Sequence, residues 1–186
     1  MEIGFKIIDT AIDFCVDWTN DELETIFDQI KKSYEFYITR IDEYGMERFH
    51  WSFIDELKNS VKEKKKFYSC GAGIVSLYVK INGDFYACPS CFDSRMKLGN
   101  IYTGYDIEKI NFLKKVDTLN NKCNSCKLFS VCGAKGCLVL NLSSNNDMSI
   151  PNYALCSIEK FMYNFYQSKY SHTEVQLSLI HISEPT

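Results

Sequence analysis

An α+β fold is predicted for this chain of 186 residues from three observations. Apolar residues recur at helical spacing early in the chain and again near its end, and between them lies an alternating stretch broken by Asn82-Gly83-Asp84. Eight of the nine cysteines fall between Cys70 and Cys156, which marks that region as a single device. With 46% hydrophobic and 15% aromatic residues, the chain can bury one moderate core, or one core and a small satellite module. That composition excludes disorder throughout.

Residues 5 to 18, rich in Ile, Phe and Val, read as a buried strand with a following turn, and their pattern is open to one strand or two. Thr19 stands three residues before Glu22, a capping-box spacing, and Trp18 and Leu23 occupy the positions of a hydrophobic staple, so a helix starts there. Leu23, Ile26, Phe27, Ile30, Tyr34, Tyr37, Ile38 and Ile41 continue it at helical spacing until Gly45, a C-terminal cap. A second helical pattern, Phe49, Phe53, Ile54, Leu57 and Val61, ends in Lys62 and Lys64 to Lys66, cations suited to the negative end of a helix dipole.

From Cys70 the pattern changes. Leu77, Val79 and Ile81 alternate with polar or amphipathic neighbours, and the turn at Asn82-Gly83-Asp84 returns the chain along Phe85-Tyr86-Ala87-Cys88 as a β-hairpin. Asp106 to Val116 reads as a helix, residues 120 to 137 as a cysteine knuckle, and Ile158, Phe161, Met162 and Phe165 as a final helix.

Lys+Arg 21 against Asp+Glu 24 leaves a net charge of -3, without the basic excess of a nucleic-acid binder. No apolar run reaches the roughly 18 residues of a membrane span, and Asp9, Asp13 and Asp17 interrupt the region where a signal peptide would be apolar. The expectation is a soluble cytoplasmic protein without nucleic-acid or membrane partners. No Ser-His-Asp set, phosphate loop or carboxylate pair stands out, and His50, His172 and His181 lack partners in sequence, so no catalytic residue is assigned.

Clustered cysteines without an export signal point to metal ligation rather than disulfides, because cytosolic thiols are kept reduced. The candidate ligands are Cys70, Cys88, Cys91, Cys123, Cys126, Cys132, Cys137 and Cys156; Cys15, alone among apolar residues, reads as an inert core thiol. Thiolates are soft ligands for zinc or iron-sulfur clusters, and an x2 spacing lets two sulfurs from one turn reach one centre. The ferredoxin run C-x2-C-x2-C-x3-C is absent. A zinc ribbon on Cys88, Cys91, Cys123 and Cys126 would leave Cys70, Cys132, Cys137 and Cys156 unexplained.

Written out, the order is Cys70, twelve residues, Gly83, four residues, Cys88; then Cys123-x2-Cys126-x5-Cys132-x4-Cys137; then Cys156. This order resembles the SPASM domain of radical SAM enzymes, and Cys70-Gly71-Ala72-Gly73 and Leu98-Gly99-Asn100 resemble its peptide-maturase branch. The resemblance covers about residues 67 to 170; residues 1 to 66 resemble, less specifically, the last barrel segment and connecting helices that precede SPASM. It implies two auxiliary four-iron four-sulfur clusters, the outer held by Cys123, Cys126, Cys132 and Cys156 and the inner by Cys70, Cys88 and Cys137. The inner cluster's fourth ligand is left open between Cys91 and an iron available to a substrate thiolate. Four residues rather than three separate Cys132 from Cys137, a departure from the family spacing.

No C-x3-C-x2-C occurs, so the resemblance assigns S-adenosylmethionine and a third cluster to an intact enzyme only. Its partners would be a precursor peptide and a reductant protein such as a flavodoxin or ferredoxin. Residues 171 to 176 form a tail, and Leu177 to Thr186 resemble a translated sequencing-library adaptor, so the chain reads as a gene fragment without a complete catalytic apparatus. A zinc-binding interaction module and a standalone iron-sulfur electron carrier are the competing expectations.

Overall fold

The structure, a computed structural model, describes residues 7–14, 16–44, 50–54, 66–90, 92–118 and 121–170. It mixes α and β, with two small sheets among the described residues. Two compact units are present: the described residues of Met1–Ile12, Trp18–Lys62 and Ser157–Thr186 form one, and those of Asp13–Asp17 and Glu63–Cys156 the other. No helix among the described residues is long and apolar enough to cross a membrane.

In the first unit, β1 (Ile7–Ile8) pairs in parallel with β2 (His50–Trp51), Ile7 opposite His50 and Ile8 opposite Trp51. The Trp51 indole N–H donates to the Thr10 hydroxyl at 2.7 Å. This corrects two expectations. Ile7 is 64% exposed rather than buried, because among the described residues β1 has a neighbour on one side only. His50 and Trp51 are strand rather than the head of a helix, because a partner far away in sequence supplies their ladder.

Helix α1 (Asn20–Tyr44) begins as its capping box requires. The Glu22 carboxylate accepts from the Thr19 N–H at 2.9 Å and the Glu22 N–H donates to the Thr19 hydroxyl at 3.3 Å, so two otherwise orphaned donors are satisfied. Leu23, Phe27, Ile30, Tyr34 and Tyr37 form its buried stripe. The part of α4 (Tyr153–Tyr170) belonging to this unit contributes Ile158, Met162, Phe165 and Tyr166. Phe27 stacks on Phe161 at 4.3 Å between ring centroids, and Tyr34 meets Phe165 edge-on at 5.0 Å. Gly45, Phe49, Leu57, Val61 and Lys62 lie outside the described residues.

The second unit is built on an antiparallel sheet in the order β3 (Tyr78–Val79), β4 (Asp84–Tyr86), β5 (Lys97–Asn100), β6 (Gly104–Tyr105). The expected hairpin is its first half, with Tyr78 opposite Tyr86 and Val79 opposite Phe85; β5 and β6 extend it. Asp106 caps α2 (Ile107–Lys115), its side chain accepting the Lys109 N–H at 3.1 Å. Helix α3 (Leu138–Asn145) follows the knuckle and was not anticipated from the sequence. Met96, Leu98, Leu113, Val116, Leu138, Val139 and Leu142 form the core with Phe67, Tyr68 and Ala87. Full burial of one such aliphatic side chain stabilises the fold by about 1.5–3 kcal/mol.

Asp84 ties the hairpin turn to β5. Its carboxylate takes the Lys97 ammonium at 2.6 Å and the Asn100 amide at 2.8 Å, and Asn82 donates to its other oxygen at 3.0 Å. The Lys97 contact first, then the Asn100 and Asn82 amides, lower its pKa to about 2. Since the folded value lies below the unfolded one, this contribution is complete above about pH 4 and is lost as pH falls through about 2. In the metal-free chain, the amide resonances of Gly83 and Ile101, which close this turn, are expected to shift over that window. Asp84→Asn is expected to remove the dependence; an unchanged titration in that variant would count against Asp84 as its source.

Candidate metal centre

The seven described cysteines are thiols rather than half-cystines. Three of them, distant in sequence, lie near enough to Tyr68 for their charges to act on its phenol. The Tyr68 N–H donates to the Asp117 carboxylate at 2.6 Å and the Tyr68 hydroxyl donates to the Ala72 carbonyl, which anchors the segment bearing Cys70. That segment then folds back, the Gly73 N–H donating to the Ser76 carbonyl at 2.6 Å.

Two close approaches carry Cys70 to its neighbours. A Cβ at Gly73, whose φ is +80°, would lie 2.7 Å from Leu113, 2.8 Å from Leu98 and 3.0 Å from Ala87, so only glycine lets this loop settle on the core beside Ala87 and thus Cys88. A Cβ at Gly136 would collide with the Phe67 carbonyl, so the residue before Cys137 lies directly on the backbone that precedes Tyr68. Neither glycine was singled out from sequence for this role.

The electrostatics follow the same geometry. Burial first, then the charges of Cys70, Cys88 and Cys137, push the Tyr68 phenol well above its ordinary pKa. Burial also raises the Cys137 thiol; the Leu140 amide opposes this, Cys70 and Cys88 add to it, and the Val139 amide opposes it. Cys137 occupies the N-cap of α3 without a side-chain capping hydrogen bond, and the Leu140 and Val139 amides offset only part of the effect of burial on its thiol. Amide donors and the positive end of a helix both favour an anionic sulfur centre. Cys70 is exposed, whereas Cys88 and Cys137 are half-buried, so the group opens to solvent on the Cys70 side.

Cys123, Cys126 and Cys132 lie on one run of turns. The Cys123 N–H donates to the Asn121 side chain at 3.0 Å, the Cys126 N–H to the Cys123 carbonyl at 2.8 Å, and the Cys132 N–H to the Leu128 carbonyl at 2.8 Å. Cys156 sits in the first turn of α4, its N–H on the Asn152 carbonyl at 3.0 Å. A buried asparagine relates these segments. Asn141 donates to the carbonyls of Lys135 at 3.3 Å and Met148 at 2.9 Å, and accepts the Asn152 N–H at 3.1 Å. Asn152 in turn accepts the Leu155 N–H at 2.9 Å and caps α4. The signal available in sequence was a lone polar residue inside the apolar run Leu138-Val139-Leu140-Asn141-Leu142.

Cys15 and Cys91 lie outside the described residues. Among the described residues, no three His, Cys, Asp or Glu side chains converge as ligands of a single metal ion. The donor chemistry nevertheless fits an iron-sulfur centre: the side chains concerned are soft thiols, with backbone amides beside at least one of them. No protein-family model matches the chain. A search of curated proteins likewise returns no significant match.

Proposed function

We propose that this chain is the auxiliary-cluster region of a SPASM-type radical SAM enzyme that modifies a ribosomally made peptide. Cys70, Cys88 and Cys137 hold one four-iron four-sulfur cluster, and Cys123, Cys126, Cys132 and Cys156 hold the other. The observation that supports this reading is that Cys70, Cys88 and Cys137 all act electrostatically on Tyr68, and Cys70 and Cys88 on Cys137. These are the residues that the resemblance to SPASM domains assigns to one cluster, whereas a zinc ribbon would join Cys88 and Cys91 to Cys123 and Cys126 instead. When bound, such clusters supply one-electron chemistry, accepting the electron released as a substrate radical is oxidised. The chain's own residues would hold and tune that chemistry: the Leu140 and Val139 amides at the head of α3 offset part of the burial that disfavours charge on Cys137, and Ala87 and Leu138 belong to the apolar core of the unit. The exposed Cys70 side faces outward, where a peptide has access.

Anaerobic reconstitution with iron and sulfide, followed by metal analysis and visible absorption, tests this reading. About eight iron and eight sulfide per chain are expected. One zinc, no sulfide and no colour would make the region a structural zinc module. The region between Tyr68 and Cys156 is further expected to become ordered by metal, read as slower amide exchange in the loaded chain than in the metal-free one.

A further inference from the structure

We propose that a cavity in the second unit, lined by Phe67, Val116 and Leu142 and edged by Asp147, binds a primary ammonium group carried on an apolar body. The cavity has a volume of about 300 Å³, at the lower end of the range for small-molecule sites. Phe67, Val116 and Leu142 are buried members of the core, and Met148, also in the wall, is packed against it. Phe112 completes the wall and is 44% exposed, a large aromatic side chain left in water beside an apolar hollow. A ligand with an apolar body covers both surfaces at once.

The edge of the cavity is built in advance. Arg95, which also lines it, is held by the Asp93 carboxylate at 2.8 and 2.5 Å and donates to the Asn146 carbonyl at 3.0 Å, tying two distant segments together. The Asn146 N–H donates to the Leu142 carbonyl at 2.9 Å and ends α3 in a left-handed conformation. Asp147 follows directly, and its Oδ1 accepts both the Ser149 N–H and the Ser149 hydroxyl at 2.8 Å. These bonds, the amide first, lower the Asp147 pKa, and Lys122 adds attraction from a distance. A carboxylate has a second oxygen, and among the described residues Asp147 Oδ2 has neither a hydrogen-bond nor an ion-pair partner. Arg95 is already paired with Asp93, so the charge at the edge without a contacting partner is negative. A charged N–H donor gains most from such an acceptor, and an alkyl or aryl stem fills the hollow behind it as a lysine stem covers apolar surface.

Saturation-transfer NMR on the full chain tests this with three probes: phenethylamine, a capped lysine amide, and 3-phenylpropionate, which keeps an aromatic ring and reverses the charge. Both amines are expected to bind, and 3-phenylpropionate about fivefold more weakly than phenethylamine. Asp147→Asn retains an acceptor for Ser149 and is expected to weaken both amines about fivefold while leaving 3-phenylpropionate unchanged. Phe112→Ala is expected to weaken all three. The tighter of the two amines assigns the natural source, a peptide side chain or a free amine, and either supports the site. Equal binding of phenethylamine and 3-phenylpropionate, or amine binding unmoved by Asp147→Asn, overturns the ammonium assignment. Absence of amine binding overturns the site itself. The comparison of probes on the unaltered chain decides the same question should Asp147→Asn fail to fold.

Discussion

Replacing Cys70, Cys137 or both by alanine is expected to remove the same half of the iron, from about eight atoms per chain to about four. On the proposed reading Cys70 and Cys137 hold one cluster, so the second substitution would find it already lost; both act on the Tyr68 phenol, and Cys70 on Cys137. Coupled residues of one unit are non-additive in this way, while independent sites add. Cys132→Ala is expected to remove the other half, and Cys132→Ala combined with Cys137→Ala to remove essentially all of it. Iron and sulfide analysis of the five proteins checks the partition. Additive losses for Cys70 and Cys137, or full iron content in Cys132→Ala, would sink it.

Gly136→Ala should also have a large effect, although it removes no ligand. The added methyl collides with the Phe67 carbonyl, and backbone cannot swing aside as a flexible side chain does. Overpacking of this kind costs about 1–3 kcal/mol, and relief requires moving the Phe67–Cys70 segment away from Cys137. The expected outcome is a lower urea midpoint for the metal-free chain and loss of iron from the Cys70 group with the Cys132 group retained. A variant with the original midpoint and full iron content would show that the close approach at Gly136 is not needed to assemble the site.

Local features of the fold were the legible ones. The capping box at Thr19 and Glu22 joins residues three apart, and the turn at Asn82-Gly83-Asp84 depends on backbone conformations confined to those residues. The helix from Asp106 to Val116 was likewise legible in outline, its structural bounds being Ile107–Lys115. What escaped notice depended on distant partners. His50 and Trp51 sit in an apolar pattern of helical period and become strand only because Ile7 and Ile8 pair with them. Lys97–Asn100 has little strand character in sequence, and forms β5 between β4 and β6 with an irregularity beside Tyr86. The alternation of Leu77, Val79 and Ile81 marked a strand without saying that these side chains stay exposed.

The candidate site divides along the same line. The amino-acid sequence carries the eight ordered thiols on which the proposed chemistry rests, and it determined the short-range turns that join Cys123 to Cys126 and Cys132. Tertiary structure decided which thiol-bearing segments approach one another. Gly73 brings the Cys70 loop against Ala87, Gly136 lies on the Phe67 backbone, and Cys156 is related to the knuckle through Asn141 and Asn152. Spacing within one turn is set by bond geometry and local hydrogen bonds. Meetings between distant segments are set by close packing and by the need of every buried polar group for a partner.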